Sequence, residues 1–153
     1  MTKAVALVTG GSRGIGLACA RRLAADGYGV AVTYLTSPPP EGLFGVKCDV
    51  TSGDDVDRAF TEITAHFDEP VEILVSNAGV TRDNLLLRIK EEDWDTVLDT
   101  NLKGPFLFIK AAGRFLMRSK AGRVINISSV AGVLGNAGQA NYSASKGGLI
   151  SLT

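Results

Sequence analysis

Short, uninterrupted apolar runs alternate along this chain with longer amphipathic stretches. Ala4-Val5-Ala6-Leu7-Val8-Thr9 shows no polar alternation, the pattern of a strand buried on both faces. Gly10 to Gly16 follows as a loop, and Ile15 to Asp26 reads as a helix. Leu17, Ala18, Ala20, Leu23 and Ala24 offer small apolar contacts there, and Gly27 is placed to stop it. A second strand is predicted from Val30 to Tyr34 and a third from Leu43 to Lys47. Between them Pro38, Pro39 and Pro40 forbid a hydrogen-bonded ladder, which predicts a loop. Thr51 or Ser52 can cap the next helix, with Asp54 and Asp55 in its first turn. Val56, Phe60, Ile63 and Phe67 recur there at helical spacing and read as core.

Val71 to Val75 is the fourth apolar run and Val124 to Ile127 the fifth. Between them a helical pattern extends from about Lys90 to Ser119. An irregularity is expected near Asn101 and Gly104-Pro105, because proline lacks an amide and disfavours a helical residue before it. A glycine-rich loop then leads to a last helix starting near Asn141. The order β-α-β-α-β-α-β-α-β-α predicts an α/β fold. We expect a Rossmann-like, doubly wound parallel sheet in three α/β/α layers, lacking the last strands of such folds. Ligands should gather at the C-terminal ends of its strands.

Composition narrows the picture. The length of 153 residues, with 45% hydrophobic positions, suits one domain over residues 1–153. A formal net charge of zero gives no general electrostatic reason to bind nucleic acid. No apolar run approaches the ~18 residues of a membrane span, so no membrane association is expected. Met1-Thr2-Lys3 runs straight into a strand-like segment without the layout of a signal peptide. A cytoplasmic location follows as the expectation, with Cys19 and Cys48 as reduced thiols in no metal-like spacing. His66 has no partner of a zinc site or a Ser-His-Asp triad and reads as a surface residue.

The first loop carries candidate chemistry. Gly10-Gly11-Ser12-Arg13-Gly14-Ile15-Gly16 joins strand to helix, and glycines there let the backbone turn sharply and approach a pyrophosphate. The helix N-terminus adds amides and the positive end of its dipole. The spacing differs from the general dinucleotide fingerprint, so position carries the inference: the loop sits between the first strand and the first helix. After the second strand, Thr33-Tyr34-Leu35-Thr36 offers no carboxylate for a free ribose 2′-hydroxyl. Arg13 could instead pair with a 2′-phosphate, which favours NADP(H).

Four further segments follow in order: Cys48-Asp49-Val50, Asn77-Ala78-Gly79, Ser129, and Tyr142-Ser143-Ala144-Ser145-Lys146. With the glycine loop they resemble the short-chain dehydrogenases/reductases. Asn77-Ala78-Gly79-Val80-Thr81-Arg82-Asp83-Asn84-Leu85-Leu86 and Gly138-Gln139-Ala140-Asn141-Tyr142 look like the 3-oxoacyl-[acyl-carrier-protein] reductases of that family. Leu43-Phe44-Gly45-Val46-Lys47-Cys48-Asp49 is similar to their actinobacterial branch.

The resemblance implies NADPH-dependent reduction of 3-oxoacyl thioesters on acyl carrier protein to 3-hydroxyacyl thioesters in fatty acid elongation. It implies that Tyr142 donates the proton, while Lys146, one helical turn on, lowers the phenol pKa from about 10 and grips the nicotinamide ribose. Ser129 would hydrogen-bond the substrate oxygen as charge grows on it. Asn101 would break its helix and hold a water connecting the lysine to solvent. Gly10, Gly11, Ser12, Arg13, Gly14, Ile15 and Gly16 would bind the cofactor phosphates. Asp49 and Val50 would contact adenine, and Asn77, Ala78 and Gly79 the adenosine ribose. Lys120 and Arg123 are candidates for docking an acidic carrier. A homotetramer is implied for the full family length, of which this chain resembles the earlier part. The fifth strand is therefore expected to be an exposed edge and the last helix to lose most of its packing. The chain alone is expected to be inactive or nearly so. A reductase of another small carbonyl substrate and an inactive nucleotide-binding fragment are the alternatives.

Overall fold

In a computed structural model describing residues 4–153, Val5–Val8 (β1) lies at the centre of a five-stranded parallel sheet. Gly29–Tyr34 (β2) and Phe44–Lys47 (β3) extend it on one side, and Val71–Ser76 (β4) and Arg123–Asn126 (β5) on the other. The order is β3-β2-β1-β4-β5, so the winding reverses between β1 and β4. The reading of Met1-Thr2-Lys3 concerns residues outside the described ones.

The continuous apolar runs are explained by two separate cores. Successive residues of a strand point to opposite faces. Val5 and Leu7 pack with Val56, Ala59, Phe60 and Ile63 of the helix Gly53–Phe67 (α2) and with Phe108 and Ala112 of Gly104–Arg118 (α4). Ala6 and Val8 pack on the other face with Ala20 of Gly14–Ala25 (α1), and Cys19 and Leu23 close that layer. Each fully buried valine or leucine contributes about 1.5–3 kcal/mol through burial. The three-layer α/β/α arrangement follows from this two-sided burial.

Several elements match the sequence in detail. Ser52 caps α2, its Oγ accepting from the Asp55 amide at 3.3 Å. Gly27, at φ 90°, follows the last turn of α1. His66 is exposed and stacks on Phe44, ring centroids 3.8 Å apart. Among the described residues no helix is long and apolar enough to cross a membrane.

The strict β-α alternation is corrected at one place: residues 35–43 connect β2 to β3 without a helix. The prolines explain it, and Pro39 lies so close to β3 that a Cβ on Gly45 would meet its Cδ at 2.5 Å. In α1, Ala18 and Ala24 face solvent; the contacts come from Cys19, Ala20 and Leu23. The long helical pattern divides into Glu91–Leu98 (α3), a π turn over Asp99–Lys103, and α4, with Pro105 buried in the first turn of α4. A four-residue helix, Ala131–Leu134 (α5), precedes the last helix, Ala140–Leu152 (α6).

β5 is an edge strand as expected, with Arg123 and Ile125 exposed. α6 keeps packing of its own: it lies on α5, α3 and the π turn and buries Asn141, Ser145, Lys146 and Leu149, while Ile150 and Leu152 are exposed. Glycine makes this approach possible: a Cβ on Gly132 would lie 2.6 Å from the Lys146 carbonyl carbon.

Candidate active site

The glycine loop is held from below by hydroxyls at strand ends. Thr9 Oγ1 accepts from the amides of Asn77 and Ala78, each at 3.0 Å. Asn77 Nδ2 donates to the carbonyls of Thr9 (3.0 Å) and Gly10 (3.1 Å), and the Gly10 amide donates to Thr33 Oγ1 at 3.2 Å. These bonds tie the ends of β1, β2 and β4 together at the point where the winding reverses. Two glycines are needed for closeness. A Cβ on Gly11 would meet Val32 at 2.5 Å, and one on Gly16 would meet Asn77 Nδ2 and the Gly10 carbonyl at 2.4 Å. Gly14 differs: φ is 57° and no atom lies within 4 Å of a Cβ placed there.

No side chain caps α1, so its first-turn amides are free to meet a bound anion. They open into a cleft of about 560 Å³. It runs from Gly10 and Ser12–Ile15 past Thr33–Thr36 and Asp49–Val50 to Asn77–Val80 and Thr100. Uncapped amides, an exposed Arg13 and the open backbone at Gly14 fit a phosphate-bearing ligand.

The far wall of the cleft is set by carboxylates in fixed roles. Asp49 Oδ1 accepts from the amide and the hydroxyl of Thr51, at 2.9 and 2.7 Å. The Asp49 amide donates to Asp55 Oδ2 at 2.9 Å, and Arg58 pairs with Asp55 at 3.1 Å. That amide and that guanidinium hold the Asp55 carboxyl below its ordinary range. Burial pushes the neighbouring Cys48 thiol up to about 12, and the Asp55 charge adds to it. Cys48 is therefore a protonated wall residue, and no group of histidine, cysteine, aspartate or glutamate side chains among the described residues could hold a metal ion.

The residues of α5 and α6 do not line this cleft; α6 is joined to it through Asn101 and Val80. Lys146 is 5% exposed, its Nζ donating to the Ile127 carbonyl at 2.6 Å and lying 5.8 Å from the centre of the Tyr142 ring. Burial lowers its pKa from the ordinary lysine value. Asn101, fully buried in the π turn, accepts from the Val80 amide (2.8 Å) and donates to the Val80 carbonyl (3.0 Å) and to Ser145 Oγ (3.1 Å). Ser145 Oγ in turn donates to the Tyr142 carbonyl at 2.7 Å. Ser129 Oγ accepts from the Ala131 amide at 3.2 Å and so starts α5, while Ser128 Oγ donates to the Lys146 carbonyl at 2.9 Å.

The structure thus places Gly10, Ser12–Ile15, Asp49–Val50 and Asn77–Gly79 around one cleft, with Gly11 and Gly16 buried behind its lining, and links Asn101 with Tyr142 through Ser145, next to Lys146 in the chain. Ser129 joins this group through α5 rather than by a bond to Tyr142. Thr9, Thr33, Asn141 and Ser145 were not singled out as site residues in the sequence. A hydroxyl at the C-terminal end of an otherwise apolar strand was the available signal for the two threonines.

A model of the short chain dehydrogenase family matches residues 4–153. The chain is 56% identical over 146 residues to the 3-oxoacyl-[acyl-carrier-protein] reductase MabA of Mycobacterium tuberculosis, covering 95% of this chain and 59% of that protein. The MabA of Mycobacterium avium is 53% identical, over 95% of this chain and 57% of its own length. The 3-oxoacyl-[acyl-carrier-protein] reductase FabG of Staphylococcus aureus is 47% identical over 165 aligned residues, 100% of this chain and 66% of the relative. The chain therefore spans about three-fifths of the length of the mycobacterial relatives it matches.

Proposed function

The chain belongs to the short chain dehydrogenase family, and from that premise we propose that it serves NADPH-dependent reduction of 3-oxoacyl thioesters on acyl carrier protein to 3-hydroxyacyl thioesters. One observation carries this reading. The wall of the cleft at Val80 is bonded by Asn101 to the helix bearing Tyr142 and Lys146, so a phosphate site and a proton-transfer pair share one frame. Relatives named 3-oxoacyl-[acyl-carrier-protein] reductase, at 47–56% identity, support the substrate class.

The uncapped first turn of α1 and the open backbone at Gly14 would bind the cofactor pyrophosphate. Arg13 would pair with a 2′-phosphate, and no carboxylate at Thr33–Thr36 repels it. Asp49 and Val50 would flank the adenine, and Asn77–Gly79 its ribose. The bound nicotinamide supplies the hydride. Tyr142 gives its phenolic proton to the carbonyl oxygen as charge develops there. Lys146, pointing along the same helical face, stabilises the phenolate left behind and holds the nicotinamide ribose. Ser129 hydrogen-bonds the reacting oxygen. Exposed Lys120 and Arg123, at the start of β5, offer an acidic carrier a cationic landing point. The working enzyme is a cytoplasmic homo-oligomer in this reading.

The test is NADPH oxidation with an acetoacetyl thioester. It is run on this chain and on a chimera that continues it with the corresponding remainder of the Mycobacterium tuberculosis relative. Turnover by the chimera, lost on Tyr142→Phe, is the expected result. A chimera that binds NADPH yet reduces only unrelated ketones would overturn the assigned substrate.

A further inference from the structure

Both peptide groups of Tyr142 are held by buried side chains. Its amide donates to Asn141 Oδ1 at 2.8 Å, and its carbonyl accepts from Ser145 Oγ at 2.7 Å. Asn141 and Ser145 are each 0% exposed. Each also reaches the segment that follows β4. Asn141 Nδ2 donates to the Arg82 carbonyl at 3.0 Å, and Ser145 Oγ accepts from Asn101, which holds both backbone groups of Val80. Two more bonds join the same partners: the Asn84 amide to the Gly138 carbonyl at 2.9 Å, and Gln139 Nε2 to Asp83 Oδ2 at 3.0 Å.

A helix start does not require this. Its orphan amides are normally met by a small polar side chain of the cap or by water. Here a fully buried asparagine spans 59 positions to a loop carbonyl, and a buried amide is tolerated only when its bonds are made. Two separate links of this kind, one on each side of Tyr142, leave its backbone little freedom relative to residues 80–84. Val80 is itself a wall of the cleft.

We propose that Asn141 and Ser145 are positioning residues: they bolt the backbone of Tyr142 to residues 80–84, so that the phenol keeps a fixed place relative to the cleft. Neither touches the reacting atoms. The inference rests on the reductase reading above, but its geometry can be tested separately.

Asn141→Asp keeps the acceptor for the Tyr142 amide and removes the donor to Arg82. Asn141→Ala removes both. Ser145→Ala removes the bond to the Tyr142 carbonyl and the acceptor for Asn101. In the chimera, each should lower kcat toward the roughly hundred-fold loss typical of an ångström-scale misplacement. KM for the thioester, the Kd for NADPH measured by fluorescence, and the circular dichroism spectrum should stay close to those of the unsubstituted protein. In the 153-residue chain, hydrogen exchange should quicken together in residues 80–84 and 140–146 for Asn141→Asp. Unchanged kcat in Asn141→Asp, or a fall in kcat that only follows lost NADPH affinity, would overturn the proposal. If the unsubstituted chimera turns over no thioester, the reductase reading fails instead. Exchange then decides: coupled loosening of the two segments supports the positioning role, and unchanged exchange at residues 80–84 overturns it.

Discussion

Lys146 Nζ lies 2.6 Å from the Ile127 carbonyl oxygen, so the buried ammonium of the site is held by a backbone dipole and not by a carboxylate. Burial therefore acts on its pKa unopposed by a counter-charge, and the direction is downward. The sign of the stability effect follows. Between the lowered folded value and the unfolded value of about 10.4, the unfolded chain holds more protons. Folding stability from this group must rise with pH through that window, and below it the folded state carries the whole desolvation penalty. Lys146→Met removes the effect. In urea unfolding at a series of pH values, the unsubstituted chain should gain on the variant as pH rises from neutrality toward 10. A pH-independent difference would refute the assignment.

Cys48 carries the opposite sign. Its thiol is pushed up to about 12 by burial and then by Asp55. An acid with a raised folded pKa contributes stability that is complete below the unfolded value, about 8.5, and is lost as pH climbs toward 12. The chemical corollary is easier to measure. The thiolate is the reactive form, so Cys48 should resist iodoacetamide at pH 8 in the folded chain while the half-buried Cys19 reacts. Mass spectrometry should find both labelled in denaturant. Equal labelling rates in the native chain would count against the buried environment.

Gly16 and Gly113 are both helical glycines, yet they should respond oppositely to alanine. At Gly16 the new Cβ falls 2.4 Å from Asn77 Nδ2 and the Gly10 carbonyl, so the asparagine that joins β1 to β4 must move. Overpacking of this kind costs about 1–3 kcal/mol, and NADPH binding should weaken with it. At Gly113 nothing lies within 4 Å and the position is mid-helix. Gly113→Ala should stabilise by about 0.5–1 kcal/mol. Thermal melts of the two variants check both signs.

Asn101→Ala removes three side-chain hydrogen bonds at once and leaves the Val80 amide and carbonyl without partners. A loss of about 2–3 kcal/mol is expected. The π turn exists around this residue, so hydrogen exchange in residues 99–103 should quicken more than in α4. Uniform destabilisation across the chain would argue that the clamp is not local.

What was legible in the sequence, and what was not, divides along physical lines. β1 could be read because both its faces and both its edges are covered, which demands an unbroken apolar run. Tyr142 and Lys146 could be paired because four residues make one helical turn. The residues between β2 and β3 misled the alternation rule although Pro38, Pro39 and Pro40 already stood against a helix. Asn101 was legible as a helix breaker, yet its links to Val80 and Ser145 span 21 and 44 positions, and the second exists only once α6 has docked. α5 is four residues long, too short for any periodicity to declare it. The packing that α6 does have was not legible because its buried face meets α5, α3 and the π turn, none of which a pattern along α6 itself can show.

In the proposed reading, the choice of cofactor turns on Arg13. It sits at the mouth of the cleft as the uncapped start of α1, and it is exposed, so its charge is free to meet a ligand. Across the cleft Tyr34, Leu35 and Thr36 present no carboxylate. A guanidinium–phosphate bond of this type is worth about 1.5–3 kcal/mol, or roughly ten- to hundred-fold in affinity. Arg13→Ala should therefore raise the Kd for NADPH by about that factor while leaving the Kd for NADH nearly unchanged, as measured by fluorescence titration. Salt should weaken NADPH binding to the unsubstituted chain more steeply than to the variant, because the lost contact is ionic and partly exposed. Arg13→Lys should fall between the two, since an ammonium keeps the charge but not the forked donor geometry. Equal effects of Arg13→Ala on NADPH and NADH would mean that Arg13 only shapes the loop, and the preference for NADPH would then lose its main support.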